Sequence, residues 1–346
     1  MKTTLIAVGD VNLMGVTDPA TPFRKVMPEF QSADLVFCNL ECLLAGGSGG
    51  TWETEGFFAD PHVATECLAS AGIAAVGMAN NVTYGAEPIM ASLARLDRQG
   101  IPHTGAGADR KAAAQPAIVE RKGVRFGFLQ RSSVYWATNH EATDTAPGIA
   151  ALRGHTAYQV PMYKVKREIP PLNRPGIPPY IVTWADRDYL AAFERDVAAL
   201  RERADVVVAS FHWGFKKDVL AYMSEIAHAA IDAGADAVVG HGPHYSLGIE
   251  VYRGKPIFYG LGSFSFQTGH GGFVHDAWVG MMAKFGFDGT RLDRASFEFV
   301  RRNAENETYV CELDAEQAEL GDIVGRSRAM GAELVRDGNE MVVTLP

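Results

Sequence analysis

The stretch that decides the fold is residues 206–244, VVVASFHWGFKKDVLAYMSEIAHAAIDAGADAVVGHGPH. Two short apolar runs enclose an amphipathic segment, and this strand–helix–strand order is typical of parallel strands joined by a crossover helix. Both runs end in histidine: His212 follows the first, and His241 and His244 follow the second. Because the carboxyl ends of parallel strands meet at one edge of a sheet, we expect these three imidazoles to lie close together.

Outward from this stretch, short apolar runs alternate with amphipathic segments through most of the chain. That alternation is typical of βα units around a largely parallel sheet, whereas the later runs follow one another without helices and predict antiparallel strands. The predicted fold class is therefore α/β. The predicted strands are 5–8, 35–37, 73–78, 124–130, 206–211, 237–240, 249–252, 256–260, 278–287, 297–301 and 341–345. The predicted helices are 61–70, 88–99, 188–203, 219–233 and 315–330.

One long segment, at about 132–185, interrupts this alternation. It contains a proline-rich stretch, 161–180, and proline at this density excludes an ordinary helix or a central strand. We therefore predict a single domain over residues 1–346 that carries a proline-rich insertion loop. Such a loop is either a lid or substrate-binding element, or a solvated excursion without a role.

The composition is that of an ordinary globular protein, with 47% hydrophobic and 21% charged residues. The net charge of −9 and the pI near 5.6 argue against a nucleic-acid partner, because phosphate binding needs clustered Lys and Arg.

The cysteines Cys38, Cys42, Cys67 and Cys311 form no CxxC pair and predict buried thiols in a reducing compartment. No apolar run is long enough for a signal peptide or a membrane span, so we predict a cytoplasmic protein without a membrane partner. The oligomeric state stays open.

Polar side chains follow five of the predicted strands at the point where each strand ends. Taken singly, an Asp or Asn in this position is typically an Asx-turn or a helix cap, and a buried His is typically a satisfied core residue. Five coincident strand ends favour a shared site, because open α/β sheets bind ligands at the carboxyl ends of their strands. The residues are Asp10, Asn12, Asn39, Glu41, Asn80, Asn81, His212, His241 and His244.

The mixture of carboxylate, amide and imidazole donors favours a transition metal. Mixed oxygen and nitrogen ligands suit Zn²⁺, Mn²⁺ or Fe²⁺, whereas Ca²⁺ prefers oxygen throughout. The candidate ligands outnumber the needs of one tetrahedral ion, so we predict two divalent transition-metal ions (Mn, Fe or Zn) with Glu41 between them. The candidate ligands are Asp10, Asn12, Glu41, Asn81, His212, His241 and His244.

Six motifs, in order along the chain, give the sequence a family resemblance. They are GDVNLMG (9–15), NLE (39–41), ANN (79–81), HWG (212–214), GHGPH (240–244) and YGLGSFSF (259–266). Together they resemble the CapA/PgsA family of poly-γ-glutamate capsule-biosynthesis proteins, which belongs to the calcineurin-like metallophosphoesterase superfamily. The resemblance implies a four-layer αββα sandwich with two mixed β-sheets and a dinuclear metal site. It assigns Asp10, Asn12 and His244 to one ion, Asn81, His212 and His241 to the other, and a bridging position to Glu41.

One motif departs from the family pattern. Family members usually read ANNHxxDYG, where the His is expected to protonate the leaving group, but residues 79–85 read ANNVTYG and are two residues shorter. Val82 thus stands in the place of the general acid. The loss of a general acid typically costs about 10²–10⁴-fold in rate, so another residue replaces it, the reaction needs none, or catalysis is lost.

Four other residues are candidates for roles beside the metal ligands. His140 is a candidate catalytic residue if its loop folds back over the site, and an exposed loop histidine is the open alternative. Asn80, Arg131 and Arg153 are candidates for substrate binding, and Arg offers a bidentate fork for a carboxylate or phosphate. Solvated surface positions are the alternative for the two arginines.

The function predicted from these residues is metal-dependent hydrolysis of an amide or phosphoester bond in a small or peptide-like anionic substrate, such as a γ-glutamyl compound. A non-catalytic accessory binding protein in poly-γ-glutamate or capsule-type polymer synthesis is an alternative, which Val82 favours. An amide-forming transferase that uses the same metal site is a third hypothesis.

Overall fold

The computed structural model describes residues 2–46, 56–159, 178–269, 274 and 278–346. These residues form twenty β-strands and seven α-helices. The strands are β1 (Lys2–Asn12), β2 (Leu35–Leu40), β3 (Ala75–Gly77), β4 (His103–Thr104), β5 (Ala106–Gly107), β6 (Ala117–Arg121), β7 (Val124–Ser132), β8 (Gly148–Ile149), β9 (Gly154–Gln159), β10 (Tyr180–Ala185), β11 (Val206–His212), β12 (Ala237–His241), β13 (Ile249–Tyr252), β14 (Lys255–Phe258), β15 (Ser263–Phe266), β16 (Gly280–Asp288), β17 (Arg291–Arg302), β18 (Thr308–Val310), β19 (Leu334–Asp337) and β20 (Glu340–Val343). The helices are α1 (Met27–Ser32), α2 (Pro61–Ser70), α3 (Ala86–Arg98), α4 (Arg110–Ala113), α5 (Arg187–Arg201), α6 (Ala221–Asp232) and α7 (Gln317–Ala329).

Two large mixed sheets organise these elements. In the first sheet the strand order is β19-β20-β17-β16-β1-β2-β3-β4, with β15 beside β1 and β18 beside β17. Strand β1 runs parallel to β2 and antiparallel to β16. The second sheet has the order β13-β14-β12-β11-β7-β6, in which β11 is parallel to both β7 and β12. The prediction of an α/β fold with mixed sheets is confirmed.

The two sheets share one apolar core. Leu5 and Phe37 of the first sheet belong to the same buried cluster as Phe128 and Val208 of the second. The rings of Phe37 and Phe128 stack across the two sheets with centroids 4.8 Å apart. The sheets therefore pack face to face, and burial of this aromatic-rich layer is a main source of their stability.

Helices cover the outer faces of both sheets, which explains why the central strands are apolar on both sides. In β1 the side chains alternate, so that Ile6 packs with the cluster that includes α2 and α3, while Leu5 faces the second sheet. In β11, Val207 packs with α5 and α6, while Val208 faces the first sheet. Strands with both faces covered become the nearly continuous apolar runs seen in the sequence.

Local signals place the helices close to their predicted positions. Helix α2 begins where the side chain of Asp60 accepts hydrogen bonds from the N–H groups of His62 and Val63, with Pro61 at the first helical position. Helix α3 begins at Ala86, whereas we predicted its start at Pro88. Gly85 forms its N-cap. The central strands end at the polar residues predicted to follow them, and these ends position the candidate site.

The predicted insertion is not a loop throughout. Strands β9 and β10 pair antiparallel, with Gly154 opposite Ala185 and Gln159 opposite Tyr180. This ribbon is tied to α6 by the hydrogen bond from the N–H of Tyr222 to Oγ1 of Thr183, at 3.2 Å. Residues 160–177, with most of the proline-rich stretch, lie outside the described residues.

Candidate metal centre

The carboxyl ends of the central strands of both sheets meet at one edge. Strand register places Asp10 beside Asn39 in the first sheet and His212 beside His241 in the second. Across the sheets, Asp10 Oδ1 lies 3.5 Å from His241 Nδ1, and Asp10 Oδ2 lies 3.2 Å from His244 Nδ1. The structure thus brings together the three histidines and the first aspartate on which the sequence argument depended.

A bulge in β1 aims Asp10 at this edge. The pairing of β1 with β2 shifts register between Val8 and Asp10, as bulges do where a strand redirects a side chain. At Gly9 the backbone passes so close to the next segment that a Cβ atom would stand 2.0 Å from the carbonyl oxygen of Gly262. The N–H of Asp10 donates to that same oxygen at 2.9 Å. A side chain at position 9 would therefore push β1 away and displace Asp10.

Asp10, Glu41 and His212 form the centre of the site. One ligand atom from each lies within 4.8 Å of the other two, and all three residues are buried. His244 completes this side of the cluster, with Nε2 at 3.9 Å from Glu41 Oε1. Its backbone φ of 62° lies in the left-handed region, which is uncommon for a non-glycine residue and recurs at functional sites.

The titratable groups of this cluster shift one another's pKa values. Burial opposes the ionised form of Asp10, but His241 and His244 together bring the pKa of its carboxyl well below the usual value. Burial and the negative charge of Asp10 raise the pKa of Glu41 well above its usual value. Burial also lowers the pKa of His212 to about 3, so its imidazole is neutral and its lone pair is available. The two buried acids oppose each other's ionisation, and a bound cation would relieve that opposition.

Several buried polar atoms of the site have no hydrogen-bond partner among the described residues. Buried polar atoms are normally paired, because an unpaired one costs about 1–3 kcal/mol. Carboxylate, amide and imidazole atoms that converge without partners are what a mixed oxygen and nitrogen metal site requires. The atoms are Asp10 Oδ2, Glu41 Oε2, Asn81 Oδ1, and both ring nitrogens of His241. The residues present therefore fit the predicted divalent transition-metal ions.

A buried amide network supports the acid cluster. Asn39 Nδ2 donates to Asp10 Oδ1 at 2.8 Å and lies 3.4 Å from His212 Nδ1. Gln130 Nε2 donates to Asn39 Oδ1 at 3.0 Å, and Gln130 Oε1 accepts from the N–H of Ala79 at 2.6 Å. Gln130 thus links the second sheet to the first and fixes the orientation of Asn39. The sequence analysis did not identify Gln130 as part of the site. The available signal was its position, since it is a single polar residue at the end of a predicted apolar strand.

Two of the predicted site residues use their polar groups within the protein. Asn80 donates to the carbonyl oxygen of Leu40 at 2.9 Å, and its Oδ1 accepts from the N–H of Thr83 at 3.0 Å. It therefore shapes the loop that carries Asn81. Asn12 Oδ1 accepts from the N–H of Met14 at 2.9 Å, and its Nδ2 donates to a backbone carbonyl in the loop after β15. The Asx-turn alternative thus describes the observed contacts of Asn12, while Asn81 Oδ1 stays unpartnered.

The two arginines considered for substrate binding lie apart from the acid cluster. Arg131 is buried, donates to Asp196 Oδ2 at 2.6 Å, and extends from β7 on the opposite face to Gln130. Arg153 pairs with Glu141 Oε2 at 2.9 Å and stacks over Tyr189. Each guanidinium already has an acidic partner, so neither is directed at the site by these contacts.

His140 is a buried residue, and the alternative of an exposed loop histidine is wrong. Its side chain is 1% exposed. The ring of Tyr84, which belongs to the loop after β3, contacts it edge-on with centroids 5.2 Å apart. Val82 is fully buried in the apolar cluster beneath this loop. The loop after β7 therefore does fold back over the loop that carries Asn81.

The fold and the acid–imidazole cluster define the class of protein. The chain belongs to the family of bacterial capsule synthesis proteins described as PGA_cap, whose family model matches residues 4–268. The resemblance inferred from the six motifs is confirmed, since all six lie within this range.

Curated relatives are similar over most of the chain. An uncharacterized protein of Sinorhizobium fredii is 28% identical over 312 residues, covering 76% of this chain and 66% of that protein. The PGA biosynthesis protein CapA of Bacillus subtilis is 27% identical over 259 residues, covering 71% and 57%. A probable polyglutamine synthesis accessory protein of Mycobacterium tuberculosis is 32% identical over 194 residues, covering 54% and 43%. The chain thus spans about two thirds or less of the length of these relatives. Within the described part of the chain, every helix is too short or too polar to cross a bilayer.

Proposed function

We propose that this protein is a metal-dependent hydrolase whose centre binds two divalent transition-metal ions and directs water at an amide or phosphoester bond. The observation that carries the proposal is the buried convergence of Asp10, Glu41 and His212, whose ligand atoms lie within 4.8 Å of one another. Helices outside each of two face-to-face sheets support the four-layer metallophosphoesterase arrangement for this fold.

The chain's own residues divide into ligands and supports. Asp10, Glu41 and His212 form the shared middle of the site, which His241 completes from the end of β12 and His244 and Asn81 complete from loops. Ions held there would supply Lewis-acid chemistry, which acidifies water and neutralises charge on the group under attack. Asn39 holds Asp10 in place, and burial keeps competing water away from the carboxylates.

The substrate that we propose is a small or peptide-like anion of the γ-glutamyl type. The relative named for PGA biosynthesis and the family of bacterial capsule synthesis proteins support this choice. With a net charge of −9 on the protein, an anionic substrate has to be attracted locally, and the ions of the centre would provide that attraction.

Elemental analysis of the purified protein tests the proposal. We expect about two transition-metal ions per chain in the wild type. His244→Ala should reduce that number, because His244 contacts both Asp10 and Glu41. His62→Ala, at an exposed histidine on α2, is the matched control and should keep the full content. Metal-free wild type after growth and purification with added Mn²⁺, Fe²⁺ or Zn²⁺ would refute the dinuclear centre.

A second candidate function is that of an accessory binding protein in polymer synthesis. Val82 favours it, because an aliphatic side chain at this fully buried position cannot donate a proton. The relative from Mycobacterium tuberculosis named as an accessory protein supports the same candidate function. Stoichiometric metal together with hydrolysis of p-nitrophenyl phosphate, bis(p-nitrophenyl) phosphate or γ-glutamyl-p-nitroanilide would favour the hydrolase. Binding of poly-γ-glutamate without turnover of any probe would favour the accessory role.

A further inference from the structure

The loop after β7 crosses from the second sheet to the first. We call residues 133–140 the crossing loop. The indole N–H of Trp136 donates to the carbonyl oxygen of Asn81 at 3.1 Å, and the hydroxyl of Tyr84 donates to the carbonyl oxygen of Thr138 at 3.3 Å. The crossing loop is therefore fastened at two points to the loop that carries a proposed metal ligand.

His140 lies at the end of this loop with one ring nitrogen already occupied. Its Nδ1 accepts a hydrogen bond from the backbone N–H of Trp136 at 2.9 Å. A ring nitrogen that accepts an N–H carries no proton, so the imidazole is neutral and its single proton is on Nε2. Burial acts in the same direction and lowers the pKa of His140 to about 4, whereas the nearby backbone carbonyls of Thr83 and Asn80, which form no hydrogen bond of normal geometry with the ring, act weakly in the opposite direction.

The remaining N–H of His140 has no hydrogen-bond partner among the described residues. Its Nε2 is buried, and a buried donor without an acceptor requires a physical explanation. The unpartnered Oδ1 of Asn81 belongs to the loop against which His140 packs. The donor of His140 thus lies against the loop that carries the proposed metal ligand Asn81.

We propose that Nε2–H of His140 donates a hydrogen bond to an oxygen of the substrate at the candidate metal centre, and that the imidazole acts as a neutral donor rather than as a source of protons. This inference rests on the proposed function. In the hydrolytic step, the water oxygen bonds to phosphorus or to the carbonyl carbon, the bond to the leaving group breaks, and the leaving group takes its proton from the attacking water. The proton on Nε2 stays in place, and its hydrogen bond strengthens as negative charge develops on the substrate oxygen.

Two substitutions of His140 test the roles of its two ring nitrogens independently. In His140→Asn, the amide oxygen can still accept the N–H of Trp136, but the donor at the Nε2 position is gone. In His140→Gln, a donor is retained near the Nε2 position, while the acceptor for Trp136 is lost. Hydrolysis of phenyl phosphate and p-nitrophenyl phosphate is measured for both variants, with metal content and thermal unfolding measured on the same preparations.

We expect His140→Asn to lose about 10²-fold in kcat, as removal of one oxyanion donor does, with metal content and unfolding close to wild type. His140→Gln should lose less, about tenfold. The loss in His140→Asn should be the same for both esters, because no proton passes to the leaving group. The reverse order of the two variants would show that His140 only positions the crossing loop. A loss confined to the phenyl ester would show that His140 is a proton donor. Either result overturns the proposal.

Nuclear magnetic resonance of protein labelled with ¹⁵N-histidine gives a readout that does not depend on turnover. We expect a protonated Nε2 and an unprotonated Nδ1 for His140 at neutral pH. Addition of inorganic phosphate to the metal-loaded protein should shift the Nε2–H signal. A proton on Nδ1, or no shift with phosphate bound, would overturn the inference even if the wild type hydrolyses no probe. Absence of metal from the wild type would instead refute the proposed function.

Discussion

Replacing Gln130 by leucine would remove the buried amide that joins the two sheets beside the candidate metal centre. The side chain of Gln130 makes three hydrogen bonds: to Asn39 Oδ1 at 3.0 Å, to Ser210 Oγ at 3.2 Å, and from the N–H of Ala79 at 2.6 Å. Leucine has a similar volume but can neither donate nor accept. All three partner groups would stay buried, since Asn39, Ser210 and Ala79 are each 0% exposed.

The expected loss in the free energy of unfolding follows from the hydrogen bond that each partner group loses. The N–H of Ala79 would be left without an acceptor, at about 1–3 kcal/mol. Asn39 Oδ1 keeps the longer hydrogen bond from Asn80 Nδ2, at 3.3 Å, so its loss is smaller. With about 0.5–1.5 kcal/mol for each of the other two bonds, we expect Gln130→Leu to lower the free energy of unfolding by about 2–6 kcal/mol.

Urea unfolding of the metal-free protein, followed by circular dichroism, measures this difference. Gln115→Leu is the matched control, because Gln115 is exposed and its amide donates only to the carbonyl oxygen of Lys111 in the preceding turn. The control should change the free energy of unfolding by less than about 0.5 kcal/mol. A loss below about 1 kcal/mol in Gln130→Leu, with an unchanged m-value, would refute the view that this amide network is a structural support.

Two further predictions concern the same region. Gly77→Ala should destabilise the fold by about 1–3 kcal/mol, because the new Cβ would stand 2.4 Å from Cδ of Gln130, and the cost should shrink in a Gln130→Ala background. Gly321→Ala, exposed in α7 with open space around it, should instead stabilise by about 0.5–1 kcal/mol in the same urea assay. Finally, the folded-state pKa of His140, about 4, lies below its ordinary value of 6.5. The unfolded chain therefore takes up a proton first, and stability is lost as the pH falls from about 6.5 to 4. Urea unfolding at both pH values should show an acid loss smaller in His140→Asn by up to about 3 kcal/mol; equal losses would contradict the prediction.

The central elements were predictable because their signals are local. Residues 61–70 begin with a proline and lie between an N-cap aspartate, Asp60, and a closing glycine, Gly72, and the observed helix has the predicted bounds. The run VVVASF is apolar on both faces, and its strand lies between two neighbours with both faces covered. Strand β9 was missed, because its residues alternate weakly and its partner β10 lies beyond the proline-rich stretch.

The arrangement of the site was predictable only in part. The strand ends identified Asp10, Glu41 and the three histidines, since parallel strands bring such residues to one edge. Gln130 and Trp136 act across the two sheets, over sequence separations of 91 and 55 residues, and no local pattern reports such contacts. Arg131 shows the converse: an arginine next to a strand end looked available, but the alternation of β7 turns it towards Asp196.

The chain's other buried acids give the strongest argument against a purely structural role for the centre. Elsewhere the chain neutralises a buried carboxylate with a permanent cation: Asp236 pairs with Arg201 at 2.6 Å, and Glu298 pairs with Lys284 at 2.5 Å. In the described part of the chain, the basic groups that approach Asp10 and Glu41 are the imidazoles of His241 and His244 rather than an arginine or a lysine. A fold that needed these acids only for stability would gain from an arginine there, or from apolar replacements. The centre instead surrounds its two acids with imidazole and amide groups, which are metal ligands, and the unpartnered atoms of Asp10, Glu41 and His241 would become ligands of a divalent ion.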